Sequence, residues 1–425
     1  MHKKHRQGYS KKTRLGARSS RFSPHGNPTA AKGLEFLHRR WYPLSVFFAS
    51  LICFFVLYSY SQRQTSGFIY WFDDWIFYAD SSGSYNHIKD ISFEGNMWRH
   101  PLYPLIVSPL ASGIKAVFGF GNRQAAETLF SLLAALNIAL FFTLCHYCLK
   151  ERITVVVFTG LYGVLFSNLV FFSIPETYSL ANLGILVFFL LIIRFHDDIT
   201  EKRAIILGFA SGLGALANPP LGLLLFSVYV LCLHRLTWRQ SFRPCFEATL
   251  VALLVYLGAN FLLFGPEYIE KSQRLASKWA TIANFLESAN WLNVGVSFFV
   301  YAVISPLDEL ERSIGLKDFG GYFQTPMKTV IFVVFIFYLG FTVIRLARRG
   351  FDVIILTAAA WLGVLSIFHL YFNPREALLY SCQALGPFML ILGQVFTGIT
   401  WKWKNVASGI FLIGLCYVNF KCLIG

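Results

Sequence analysis

The chain has 425 residues, of which 56% are hydrophobic and only 14% charged; soluble domains carry roughly a quarter charged residues, so the composition excludes an ordinary water-soluble fold. The net charge of +15 does not mark a nucleic-acid surface, because eleven of the 37 Lys and Arg stand between Lys3 and Arg40 and the others cap apolar segments, as expected of a solvated tail drawn to anionic lipid. The eight cysteines lie in or beside apolar runs, which argues against a disulfide framework, and Cys145-x-x-Cys148 lacks the second pair that a metal site needs.

In chain order, residues 1–41 read as a basic cytosolic tail and residues 42–425 as a transmembrane domain. About forty polar residues precede the first apolar run and no small-residue cleavage site follows it, so Tyr42 to Tyr60 is expected to stay as a helix rather than leave as a secretory signal. A span needs roughly 20 apolar residues. Eleven segments qualify or nearly so: Tyr42 to Tyr60, Ala125 to Leu149, Thr154 to Phe172, Thr177 to Phe195, Ala204 to Ala217, Leu221 to His234, Phe246 to Phe264, Thr329 to Arg345, Val353 to Tyr371, Ala377 to Phe396 and Val406 to Phe420. The fifth and sixth are short and flank Asn218-Pro219-Pro220, which reads as the turn of a helical hairpin. The fold class expected is therefore an all-α polytopic bundle of about 11 helices.

Short cytosolic loops carry an excess of Lys and Arg. With the N-terminus inside, Lys150 and Arg152, then Arg194, Lys202 and Arg203, then Arg235, Arg239 and Arg243, then Arg345, Arg348 and Arg349, then Lys402 and Lys404 all fall on the inner side. This requires that Val294 to Ile304 does not cross and that Pro101 to Phe120, interrupted by Pro104 and Pro109, lies along the interface or re-enters. The outer segments are then the first large loop, 61–124, the turns at Ser173 to Glu176, Asn218 and Asn373 to Glu376, and a second large loop, 265–327. Both large loops read as interfacial helices over a cavity.

The first outer loop sets carboxylates among aromatic residues: Asp73, Asp74 and Asp80 stand in a run that includes Tyr70, Trp71, Trp75, Tyr78 and Tyr85, and the loop closes with Trp98-Arg99-His100-Pro101-Leu102-Tyr103-Pro104. Partial desolvation at a headgroup boundary raises a carboxylate's pKa and makes it a better general base; the structural alternative is that these acids cap short interfacial helices. An acid closely followed by Tyr in the first outer loop, then a short helical stretch and a His-Pro-Leu-Tyr element, resembles the GT-C class of membrane glycosyltransferases, which includes the protein O-mannosyltransferases and the lipid A aminoarabinose transferases. The class interval fits Asp74 to Tyr78, and Asp80 to Tyr85 is one residue longer, so both Asp80 and Asp74 stand as the catalytic acid.

The resemblance implies a donor sugar on a polyprenyl or dolichyl phosphate and an acceptor that is a glycan, a lipid or a protein. It implies inverting transfer on the exoplasmic face, with the loop acid as base. Tyr85, Arg99, His100 and Tyr103 are the candidate substrate-binding residues of the first loop. Glu176 at the turn before Tyr178, and Arg375, Glu376 and Tyr380 in the late outer loop, are the others; a helix-starting role for Glu176 and an ion pair between Arg375 and Glu376 are the structural alternatives. The glycosyl phosphate bond supplies the energy, so no nucleotide site is required on the outer face, and no cofactor is assigned. A divalent cation shared by Asp73, Asp74, Asp80 and Glu176 is an option, but the adjacent Asp73-Asp74 pair is not a spaced Asp-x-Asp, which favours a site without metal. Competing readings are a lipid or solute transporter, for which Asn137, Asn182 and Asn260 are the polar intruders within spans, and an outer-face glycan ligase, for which Lys271, Arg274 and Lys278 of the second loop speak. Asn27 is followed by Pro and no other glycosylation sequon occurs, which favours a bacterial inner membrane with a periplasmic site over the endoplasmic reticulum.

Overall fold

The computed structural model describes residues 43–60, 62–63, 84–85, 88, 91, 93, 97–279, 282–305 and 325–424. Asp73, Asp74 and Asp80, and the basic tail, lie outside this set. Among the described residues the chain is all-helical, 86% in helix with no strand. Eight helices among the described residues are long and apolar enough to cross a membrane, and the chain is a multi-pass membrane protein. They are α1 (Pro43–Tyr60), α3 (Asn122–Cys148), α6 (Tyr178–Phe195), α9 (Trp238–Phe264), α12 (Pro326–Arg349), α13 (Val353–Phe372), α14 (Ser381–Thr397, preceded by a 3-10 turn from Pro374) and α15 (Lys404–Ile424). Between them run α2 (Leu102–Phe118), α4 (Arg152–Val164), α5 (Phe166–Phe171), α7 (Glu201–Ala217), α8 (Leu225–Arg235), α10 (Glu267–Trp279) and α11 (Ser288–Val296).

These eight coincide with eight of the eleven segments anticipated from hydropathy; the other three are shorter helices. The segment Thr154 to Phe172 is not one helix, because the backbone at Leu165 is extended and separates α4 from α5. A break at membrane depth exposes carbonyls that lipid cannot satisfy, and here side chains take them. Asn168 Nδ2 donates to Tyr162 O (2.6 Å), the Tyr58 hydroxyl to Gly163 O (3.0 Å) and Asn419 Nδ2 to Val164 O (2.8 Å). The freed N–H groups of Phe166 and Ser167 donate to Val303 O and Ala302 O. Asn419 also donates to Val303 O at 2.9 Å and accepts from Ser305 N at 2.9 Å. The stretch Val294 to Ile304 is the end of a nine-residue helix plus a single π-helical turn at Ser297–Tyr301, buried against the broken span and too short to cross.

Asn419→Leu leaves three buried backbone groups without this partner. It is expected to lower stability by about 2 kcal/mol, read as a drop in the thermal midpoint of the purified protein in detergent; an unchanged midpoint would mean that the break satisfies itself in another way.

The basic segments gather at one end of the bundle. Lys404 Nζ meets Glu151 Oε1 at 2.7 Å, Arg203 meets Asp198 at 2.8 Å, Arg243 meets Glu201 at 3.2 Å, and Arg235 donates to His196 O at 2.7 Å. Helix packing depends on close approach, as it must where lipid tails remove the hydrophobic drive between helices. α7 lies along α9 with Gly208 and Gly212 against Ala248 and Ala252. α3 is tied to α6 by Asn182 Nδ2, which donates to Asn137 Oδ1 (2.7 Å) and to the Tyr162 hydroxyl (2.6 Å), while Asn137 Nδ2 reaches Leu133 O and Ser179 O. Asn260 Nδ2 donates back to Tyr256 O. The outward faces of α9, α12 and α15 carry exposed Leu254, Leu262, Phe337, Val343, Ile410 and Ile413, a contact surface for lipid.

Candidate functional site

The end opposite the basic segments collects the unusual polar residues. The turn between α5 and α6 is pinned by Gln62 Nε2, which donates to Ser173 O at 2.7 Å. Pro175 then directs Glu176 to the start of α6, where its Oε2 accepts from Thr177 N at 2.9 Å. Glu176 is buried one residue before Thr177, the N-cap of α6, where the partial positive charge of a helix N-terminus favours a carboxylate. Two residues on, the Tyr178 ring meets the Tyr380 ring edge-on with centroids 6.0 Å apart.

Tyr380 ends the 3-10 turn Pro374–Tyr380 that joins α13 to α14. Its hydroxyl lies within electrostatic reach of Glu376, Glu176 and Arg99, and Tyr178 is in reach of Glu176 and Glu376. Four of the anticipated residues, Arg99, Glu176, Glu376 and Tyr380, therefore come together from three segments far apart in sequence. Arg99 belongs to a short 3-10 turn, Met97–Arg99, and lies over the Trp98 ring at 5.7 Å. The backbone of Arg375 is in the Tyr380 turn, but its side chain lies outside the described set.

His100 Nδ1 is 3.0 Å from Ala217 O at the end of α7. The carbonyl can only accept, so Nδ1 carries the hydrogen and Nε2 presents its lone pair. Burial pushes the His100 pKa down to about 4, the bond to Ala217 O opposes this, and the Arg99 charge adds to the fall. His100 is thus a neutral imidazole and not a second cation for a phosphate.

The remaining first-loop residues go elsewhere. Tyr103 is fully buried; it stacks on Phe130 at 6.3 Å and turns its hydroxyl to Ser84 O at 3.4 Å, so it serves the core between α2 and α3 rather than an open pocket. Tyr85 packs on the same small core, facing Arg123 and Glu127, and burial raises its pKa.

Two residues escaped the sequence reading. Tyr178 is one, although its place beside Glu176 was visible. The other is His369 on α13, fully buried, stacked on the Tyr380 ring at 4.4 Å and met edge-on by Phe298 at 5.5 Å. Neither of its ring nitrogens has a hydrogen-bond partner among the described residues. The signal was a lone His in an apolar span, which by default marks function. Part of the second large loop covers this region: Asn293 Nδ2 donates to Pro374 O at 2.9 Å and Asn284 Nδ2 to Tyr371 O at 3.1 Å.

One guanidinium, two carboxylates and two phenols within electrostatic reach of one another are groups that can hold a phosphate, orient hydroxyl groups and move a proton. Among the described residues no group of three or more His, Cys, Asp or Glu side chains is placed to hold a metal ion. Neither a protein-family model nor a curated protein sequence matches the chain.

Proposed function

We propose that the chain is a membrane glycosyltransferase of the GT-C type that moves a sugar from a polyprenyl-phosphate donor to an acceptor on the exoplasmic face. The observation that carries the reading is the convergence of Arg99, Glu176, Glu376, Tyr178 and Tyr380 at the end of the bundle opposite the basic segments. In this reading the three shorter segments, 152–171, 201–217 and 219–235, complete eleven crossings, the first large loop adds interfacial helices, the basic tail is cytosolic, and the site faces the periplasm across a bacterial inner membrane.

A lipid-phosphate sugar enters sideways from the bilayer, and Arg99 with Arg375 holds its phosphate. Asp80 or Asp74 takes the proton of the acceptor hydroxyl or amine as it attacks the anomeric carbon. The sugar–phosphate oxygen bond breaks on the opposite face, the anomeric centre inverts, and the departing phosphate keeps the electron pair beside the cations. Glu176, Glu376 and Tyr380 orient sugar hydroxyls. No metal takes part in this scheme.

The test is turnover of a polyprenyl-phosphate monosaccharide by the purified protein. Asp80→Asn or Asp74→Asn is expected to lower it at least about a hundredfold, the scale of a lost general base. Transport of lipid or solute that survives both substitutions, with no turnover by the parent, would assign the chain to a carrier instead.

A further inference from the structure

α12 and α15 meet toward the end of the bundle that carries the candidate site and part toward the basic end. Gly414 brings α15 against α12, since a first side-chain carbon there would stand 3.2 Å from Met327 Cε and 3.3 Å from Ile331 Cδ1. Below this contact a slot of about 220 Å³ opens between the two helices. It is backed by Leu161 of α4 and Leu392 of α14 and walled by Phe335 of α12 and Phe411 of α15. Its rim includes Val334 and Ala407, both exposed. One turn along each helix stand the exposed Phe337 and Ile410, so the slot opens onto the apolar outward surface of the bundle.

Apart from Trp401 at the mouth, the polar side chains of the wall are committed to the protein itself. The Tyr338 hydroxyl donates to Leu392 O at 2.7 Å, and that of Ser408 to Lys404 O at 2.9 Å. Lys404 Nζ is held by Glu151 Oε1 at 2.7 Å and Ile399 O at 2.9 Å. Such a wall suits an alkyl chain and not a sugar, a nucleotide or an inorganic ion. Depth selects the kind of chain. Met389 and Phe396, seven residues apart on α14, are about 10 Å apart along its axis, and Ile399, Trp401 and Lys404 continue the slot below them. The total is close to the ~15 Å that one leaflet contributes to a hydrocarbon core. At the mouth Trp401, Lys402 and Trp403 are exposed, with the Lys402 ammonium 5.7 Å from the centre of the Trp403 ring. Indole rings mark the headgroup level of a bilayer, and the cation complements a phosphate there.

We propose that the slot holds one acyl chain of a diacyl phospholipid from the leaflet at the basic end, with the headgroup phosphate beside Lys402 and the chain running between α12 and α15. The end of the chain then lies against Leu165 and Val303, which close the slot. The lipid thus packs beneath the break between α4 and α5, where Asn419 holds the carbonyls of Val164 and Val303. The slot shares no residue with the cluster around Tyr380 and does not rest on the transferase reading.

The full chain is reconstituted in phosphatidylglycerol vesicles that contain a trace of phosphatidylglycerol with a diazirine near the end of one acyl chain. After irradiation, the labelled residues are read by peptide mass spectrometry. Label is expected on Leu161, Leu392 and Phe411 above the level on Leu254 and Leu262, which face the surrounding lipid from α9. Val334→Trp and Ala407→Trp each put an indole into the slot from an exposed helix position. Each is expected to cut the slot label more than about tenfold, because displacing a few methylenes is enough, and to leave the α9 label unchanged. Slot label no stronger than that on α9, or slot label that survives both substitutions, overturns the proposal. So does loss of the slot label on adding glycerol phosphate, which has the headgroup chemistry and no chain. The parent's labelling decides the matter even where a variant fails to fold.

Discussion

Gly208→Leu is expected to prevent α7 from docking on α9 and to cost about 3 kcal/mol or more, read as loss of the monodisperse peak in fluorescence-detected size exclusion after mild heating. The first carbon of any side chain at this position falls 2.2 Å from Ala248 O and 2.7 Å from Ala248 Cα. Both are backbone atoms of a long helix, so no rotamer change relieves the overlap, and Ala248→Gly does not rescue it. Only separation of the two helix axes does, and that opens the contact of Gly212 with the buried Ala252 as well. Gly340→Ala on α12 meets nothing within 4 Å and is the control, neutral or slightly stabilising because alanine is the better helix former. The consequence extends to the site. Ala217 at the end of α7 supplies the carbonyl that holds His100, so a displaced α7 carries away the anchor of the first outer loop. Melting of Gly208→Leu together with the parent would show that the close approach of α7 and α9 is wrong.

What the sequence discloses follows from how local each cause is. A span is written in about twenty consecutive apolar residues, so α3, α6, α13 and α14 are legible within a few positions. α9 starts eight residues earlier than hydropathy suggests, at Trp238 rather than Phe246, because Thr237 and Gln240 form a capping box that starts the helix in its polar approach. The break at Leu165 is not legible: no Pro or Gly marks that residue, and its tolerance depends on Tyr58, Asn168, Val303 and Asn419, which no local pattern connects. The same holds for the asparagines within spans. Read alone, Asn137 and Asn182 invite a transport pathway, whereas in the fold they bond to each other and to Tyr162. At the site, residue type marked Arg99, Glu176, Glu376 and Tyr380 as unusual because charge and phenol at a membrane boundary stand out against an apolar background. Tyr103 looks equally unusual in sequence, and only packing reveals that its ring fills a core beside Phe130. His100 looks like a cation until its surroundings are known.

Those surroundings give the last expected result, a stability that depends on pH through His100. The unfolded chain titrates this imidazole near the ordinary value of 6.5, and the folded protein near 4. Above pH 6.5 the ring is neutral in both states and the full stability is present. As pH falls below 6.5 the unfolded state takes up the proton first and gains free energy, and the loss continues until the folded ring also protonates near pH 4. A difference of this size corresponds to about 3 kcal/mol. Carboxylates titrate in the lower part of the window, so the readout is the comparison with His100→Asn, which keeps an N–H donor for Ala217 O and cannot take a proton. The thermal midpoint of the parent is expected to fall more steeply from pH 6.5 to 4 than that of the variant, with the two nearly equal at pH 8. Parallel curves would mean that the ring is solvated and free to charge. A neutral ring has a chemical consequence for the proposed transfer. With its hydrogen committed to Ala217, His100 offers the site a lone pair, suited to a hydroxyl of the sugar or acceptor. Holding the phosphate then falls to Arg99 and Arg375, and exchange of Arg99 for Lys, which loses the planar fork, is the substitution to which donor binding would be most sensitive.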